Sequence, residues 1–218
     1  MKIEIWSDIV CPFCYIGKRR FERALAAFEP KDKIEVFYRS FQLTPEVKTN
    51  PDISVVHHLA DKKGISVEKA REMTTYVTEQ AALEGLEYNM DKAVVANTFR
   101  SHRLLYHALA QGLQLAMKER LLKAYFIEGK NIDDIPTLMA LSEEIGVTGA
   151  RGVLEKDSYS DEVKRDILNS KQLGIQGVPF FVFDRKYGVS GAQDPKVFLE
   201  TIEQSYNEWE EARLQSKG

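Results

Sequence analysis

Cysteine is almost absent from this chain: 218 residues hold two, which excludes a disulfide-stapled scaffold, since such frameworks need several bridges. Also missing is any apolar run of the roughly 18 to 20 residues that a membrane-spanning helix requires. The N-terminus shows none of the basic, apolar and small-residue pattern of a signal peptide. Lysine and arginine number 30 against 33 aspartates and glutamates, for a net charge of −3, so there is no polybasic surface for nucleic acid or anionic lipid. Internal repeats, low-complexity tracts and Gly/Ser linkers are absent as well. What remains is a globular chain, expected in the cytoplasm, with protein or small polar partners and no nucleic-acid or membrane partner. Its length suits one large domain or one domain carrying an insertion. Nothing in the sequence sets the oligomeric state.

The two cysteines stand three apart, in "IWSDIVCPFCYIGKRRF" from Ile5. Two cysteines scattered over this length fall at that spacing about one time in a hundred, so the pattern calls for chemistry. In a reducing compartment such a pair is catalytic or metal-binding rather than structural, and a bridge closing so short a loop would constrain the unfolded chain little. Zinc is disfavoured because a tetrahedral site needs more ligands than one C-x-x-C. The histidines do not complete it: His57 and His58 are adjacent, and His102 and His107 point to different sides of a helix.

Residues 2–7 alternate Ile3 and Ile5 with polar neighbours and residues 33–38 are rich in β-formers, so both read as strands. Between them Phe21, Ala24, Leu25 and Phe28 mark a helix that Pro30 stops. Near the other end, 179–183 and 187–190 form a strand hairpin. A closing helix follows, with Asp194 as N-cap, Pro195 at the first helical position and Phe198, Ile202, Tyr206 and Trp209 as its apolar stripe. The long middle region predicts helices over 66–84, 97–110, 113–128, 135–145 and 160–173. "NPDISVV" (50–56) is the best boundary by composition.

This pattern puts Cys11 just past a strand, at the N-terminal edge of the first helix. Free N–H groups and the helix dipole there stabilise a Cys11 thiolate. Pro12 gives up no needed hydrogen bond, and the three-residue spacing returns the Cys14 sulfur beside that of Cys11. Such a pair can attack a disulfide, form a mixed disulfide, and release the product by closing on itself. A second signal lies in "GIQGVPFFVF". The Val178–Pro179 bond, ahead of a buried strand, is a natural place for a cis peptide, leaving the Val178 backbone free to pair with an extended substrate. A trans proline opening a strand is the alternative.

Together, "SDIVCPFCYIGKRRF", "NTFRSHRLLYHA", "AYFIEGKNI" and "GVPFFVFDRKYGVSGAQ" resemble the FrnE-type members of the DsbA family over nearly the whole chain. The resemblance implies an α/β, thioredoxin-like fold with a large all-helical domain inserted between its β-α-β and β-β-α halves. The base then spans 1–50 and 174–218, and the insertion 51–173. It also implies Cys11 as nucleophile, Cys14 as resolving thiol and Pro179 as the cis-proline, with Val178, Pro12 and Phe13 beside the substrate and no cofactor or metal. The expected partner is a disulfide- or thiol-containing protein, or a low-molecular-weight thiol such as glutathione. Where the best-known periplasmic members carry a histidine between the cysteines this chain has Phe13, and where they carry a glutamate it has Ile5. The second cysteine pair of some FrnE-type members is missing. Losing the histidine predicts an intermediate potential, on the order of −250 to −170 mV, less oxidising than DsbA. Glutathione-dependent isomerases and transferases share this superfamily, typically with a serine where Cys11 stands, and they form the second reading. A chaperone-like, client-binding module with incidental thiols is the third.

Asp8, three residues before Cys11, is a candidate for tuning the thiol or for capping a turn. Asn97 and His102 open a helix that the resemblance places over the site, although His102 shares a face with Phe99, Tyr106 and Leu109, as a packing histidine would. Asn97 also reads as an N-cap. Lys18, Arg19 and Arg20 are expected to face water.

Overall fold

The computed structural model describes residues 1–215. Its first strand, β1 (Lys2–Ser7), pairs in parallel with β2 (Glu35–Ser40), Lys2 facing Glu35 and Ser7 facing Ser40. Parallel neighbours need a crossover, and α1 (Pro12–Ala27) provides it. That helix begins where Cys11 is still extended (φ −86°, ψ 112°) and Pro12 fills the first turn, where a missing N–H costs nothing. It stops at Phe28, extended again, whose N–H returns to the Leu25 carbonyl.

The middle of the chain forms β3 (Asn50–Ser54), α2 (Val55–Lys63), α3 (Val67–Ala82), β4 (Val94–Val95), α4 (Phe99–Leu109), α5 (Gln114–Phe126), α6 (Ile135–Glu144), α7 (Ala150–Leu154) and α8 (Ser160–Gln172). The chain closes with β5 (Phe180–Phe183), β6 (Tyr187–Ser190) and α9 (Pro195–Gln215). The helices expected from apolar spacing are α3, α4, α5, α6 and α8. Spacing does not reveal α7, which is barely more than a turn, or the β3–β4 ladder, whose second strand has only two residues. The insertion is therefore helical with one short antiparallel pair, β3 with β4. The stretch 50–56 runs through β3 into α2, where the Ser54 hydroxyl caps the helix by accepting the His57 N–H.

The main sheet has the order β2-β1-β5-β6, with β5 antiparallel to both of its neighbours. One face carries Ile3, Ile5, Phe181 and Phe183 against Phe21 of α1 and Phe198, Ile202 and Tyr206 of α9. The other face packs Trp6 and Val182 on Ile175, and the Trp6 indole N–H donates to the Asp166 carbonyl of α8 at 3.0 Å. β1 is thus covered on both sides. Glu4, which the alternation would leave in water, is buried, and Arg39 and Arg185 hold its carboxylate.

A separate core fills the insertion, and it closes over residues of the base. Ile9, Tyr15 and Ile16 pack with Leu104, Leu121, Leu122 and Phe126. Each such side chain contributes about 1.5–3 kcal/mol by leaving water, so the first turns of α1 are fixed from both sides. Among the described residues no helix is long and apolar enough to cross a membrane.

Candidate active site

The strand-to-helix turn presents both sulfurs at one end of α1, one at its N-cap and one in its first turn. Both thiols are free and nearly inaccessible, at 4% and 2% exposure. Cys11 Sγ donates to the Val178 carbonyl oxygen at 3.3 Å, although the two residues lie 167 apart in sequence. The Val178–Pro179 peptide is cis. Pro179 sits tightly against α1 because residue 17 is glycine: a Cβ there would lie 3.0 Å from the proline Cγ.

Cys11 lines a cavity of about 320 Å³, together with Val10, Pro12, Phe13, Met73, Val95 and Tyr125; Cys14 is not part of its wall. Phe13 is 40% exposed at the rim, an unusual place for a large apolar side chain. Tyr88, which also packs on Tyr15 and Phe126, donates its hydroxyl to the Pro12 carbonyl at 2.7 Å and so pins the turn between the cysteines.

Electrostatically the two thiols act as one pair. The adjacent Cys14, followed by burial, pushes the Cys11 thiol well up; the Cys14 backbone N–H at the helix start favours its charge but does not prevail. Burial also acts against charge on Cys14, but the hydrogen-bonding effect of Cys11 and the positive charge of Lys118 outweigh it and bring Cys14 down. One charge on the pair is thus favoured by the hydrogen bonding between the two sulfurs and by the nearby Lys118 cation.

Asp8 is fully buried. Its Oδ1 accepts the Ile9 N–H at 2.8 Å and lies 3.2 Å from His102 Nε2, and its Oδ2 accepts the Leu43 N–H at 2.8 Å. Burial raises the carboxyl, but the bond and charge of His102 and the Leu43 N–H win and hold it below the usual carboxylate range. His102 thus reaches the site only through Asp8. Asn97 does not reach the thiols: its Nδ2 donates to the Pro45 and Val47 carbonyls at 3.1 and 2.9 Å, and its Oδ1 accepts from Gln42 at 3.2 Å and from the Phe99 N–H at 2.9 Å. It fixes the loop that carries Leu43 and Thr44, which form part of the cavity wall.

Lys18, Arg19 and Arg20 are not simply solvated. Lys18 is buried and pairs with Glu22 and Glu119, Arg19 pairs with Glu119, and Arg20 with Glu84. The insertion covers this side of α1 and brings its own carboxylates. Burial opposes ionisation of Glu119, but hydrogen bonds from Arg19, Lys18 and Tyr15 carry it down to about 2.

Sequence reasoning missed Lys118, Tyr88, Glu119 and Gly17. Only Lys118 left a trace, as a lysine among the apolar positions Met117, Leu121 and Leu122 of its helix.

The model of the DSBA-like thioredoxin domain matches residues 2–203. The chain belongs to this family, and it is an enzyme of the protein-disulfide oxidoreductase class. It is 41% identical to a probable DsbA oxidoreductase of Streptomyces coelicolor, whose crystal structure superposes with a TM-score of 0.88 over 95% of this chain and 91% of that one. It is 28% identical to the uncharacterized protein YwbO of Bacillus subtilis, over 92% of this chain and 94% of the relative. The cytosolic disulfide reductase DsbM of Pseudomonas aeruginosa, also solved with GSH, shares the fold at 18% identity and a TM-score of 0.65, over 99% of both chains.

Proposed function

We propose that the chain exchanges thiols and disulfides through Cys11 and Cys14 in the manner of the FrnE-type members of its family, in the cytoplasm and without cofactor or metal. Cys11 attacks a substrate disulfide, the mixed disulfide forms on it, and Cys14 resolves it. The observation that carries this assignment is the position of the Cys11 sulfur, on the cavity wall and 3.3 Å from the Val178 carbonyl, with Cys14 behind it. An extended substrate segment pairs with the Val178 backbone beside the cis Pro179, and Pro12 and Phe13 form the opposite rim. Asp8 tunes the pair from behind, His102 positions Asp8, and Asn97 positions the wall of the cavity. The partner is a disulfide- or thiol-bearing protein, or a low-molecular-weight thiol.

The test is insulin disulfide reduction with a thiol as electron donor. Cys11→Ser removes activity, whereas Cys14→Ser accumulates mixed disulfides through Cys11. Wild-type activity in both variants would overturn the proposal in favour of a client-binding role with incidental thiols.

A further inference from the structure

Lys118 stands out among the described residues. It is fully buried on α5, and its Nζ has no hydrogen-bond acceptor among the described residues. Its Nζ lies over the ring of Tyr38, 5.3 Å from the centroid. Leaving a buried ammonium unpaired costs several kcal/mol, so its retention calls for a charge that is there only part of the time. The groups facing it are Cys14, Cys11 and Lys18 of α1 or its cap, Asp8 of the preceding loop, and Tyr38 of β2. Of these Asp8 is already occupied by His102 and two backbone N–H groups, and Lys18 by Glu22 and Glu119.

The need for a proton partner arises at one step. Once Cys11 is tied up in a mixed disulfide it no longer supports a thiolate on Cys14, yet Cys14 must lose its proton to attack. We propose that Lys118, reaching in from the inserted helices, is the proton acceptor that takes up the Cys14 proton when the mixed disulfide resolves and returns it when the pair is reduced. This rests on the exchange reaction proposed above.

The steps balance. The reduced centre holds one proton shared by Cys11 and Cys14, and Lys118–NH₃⁺. As the shared proton settles on Cys14, the Cys11 sulfur bonds to one sulfur of R–S–S–R′. R′–S⁻ leaves with the electron pair of the broken bond and, through water, takes a proton from Lys118. The neutral Lys118 amine then accepts the Cys14 proton, and Cys14–S⁻ bonds to Cys11 Sγ. R–S⁻ departs with its electron pair and takes that proton from Lys118, again through water. Two electrons and two protons reach the substrate, leaving the Cys11–Cys14 disulfide beside a neutral lysine. Burial, opposed by the charges of Cys14 and Asp8, brings Lys118 down to about 8 in the reduced centre, which suits a group that changes charge in each cycle.

The experiment follows a trapped mixed disulfide at Cys11 and measures its resolution as a function of pH. Lys118→Met should slow resolution at least about tenfold at pH 7, with the deficit closing as pH rises and Cys14 ionises unaided. Formation of the mixed disulfide should change much less. A deficit of the same size at every pH, or none, would overturn the inference. If Lys118→Met fails to fold, nitrogen NMR of Lys118 in the wild-type protein decides. The ammonium should titrate at least about one pH unit lower in the oxidised protein than in the reduced one, and equal titration in both states would refute it. Absence of any mixed disulfide in the wild type would instead refute the proposed exchange reaction.

Discussion

The base and the inserted helices meet at Cys11 and contribute different things to it. From the base come the atoms proposed to meet a substrate: the Cys11 sulfur on the cavity wall, the Val178 carbonyl 3.3 Å from it, and the rim at Pro12 and Phe13. The insertion supplies groups that sit behind or beside those atoms: Lys118 near Cys14, His102 on Asp8, Tyr88 on the Pro12 carbonyl, and Glu119 on Lys18 and Arg19. The base therefore brings the sulfur and the backbone beside it, while most of the cavity wall, Met73, Val95 and Tyr125 among it, and the proton and charge control come from the insertion. A short motif can keep its shape while an insertion resets its chemistry, because charge acts over several ångströms and contact does not.

The largest expected effect lies in the base. Cys11→Ser should lower disulfide exchange by roughly a thousandfold or more, because the attacking sulfur itself is gone. Cys14→Ser should leave the first attack intact and stall the second, which thiol-specific labelling and intact mass distinguish.

The next effect falls where the two regions join. Asp8→Ala deprives His102 and two backbone N–H groups of their acceptor, and breaking a buried pair in this way costs about 3 kcal/mol or more. In a chain of this size that lowers the melting temperature by about 10 °C, as calorimetry would show. The pH dependence has a definite sign. Asp8 and Glu119 both ionise more easily folded than unfolded, so the stability they contribute is complete above their ordinary carboxylate values. It is lost as pH falls through their folded values, which for Glu119 is about 2. Wild-type melting should fall below about pH 4, and Asp8→Asn should flatten part of that fall. An unchanged acid profile in Asp8→Asn would show that the carboxylate is not held as described.

Much of the base was legible because its signals are local. Cys11, Pro12 and Cys14 lie within one turn, and apolar spacing located α1, α9 and five of the inserted helices. The solvated positions expected for Lys18, Arg19 and Arg20 were wrong, and Lys118 went unseen, for one shared reason. Both depended on what the insertion lays against α1, and Lys118 and Glu119 stand about a hundred residues away in sequence, on a helix whose spacing reveals its apolar face but not which charged residue turns inward. His102 was read both as a packing histidine and as a tuning candidate, and its bond to Asp8 links positions 94 apart that no spacing rule connects.

Smaller effects sharpen the contrast. Phe13→His adds a donor at the rim of the base and should raise the reduction potential by about 30 mV, the equivalent of about 1.4 kcal/mol in favour of the reduced form. Glu119→Gln loosens the ionic clamp between α5 and α1 and should cost about 1 kcal/mol, or about 2–4 °C in melting temperature. Its disulfide exchange should stay near the wild-type rate, because the clamp holds helices and not sulfurs.

The most direct test of the account is equilibration of the wild-type protein in glutathione redox buffers, followed by alkylation of remaining thiols and intact mass. The account predicts a single two-electron transition to an internal Cys11–Cys14 disulfide, with a potential on the order of −250 to −170 mV. A protein that retains two alkylatable thiols across the whole range, or that carries only stable glutathione adducts without closing the internal bond, would contradict it.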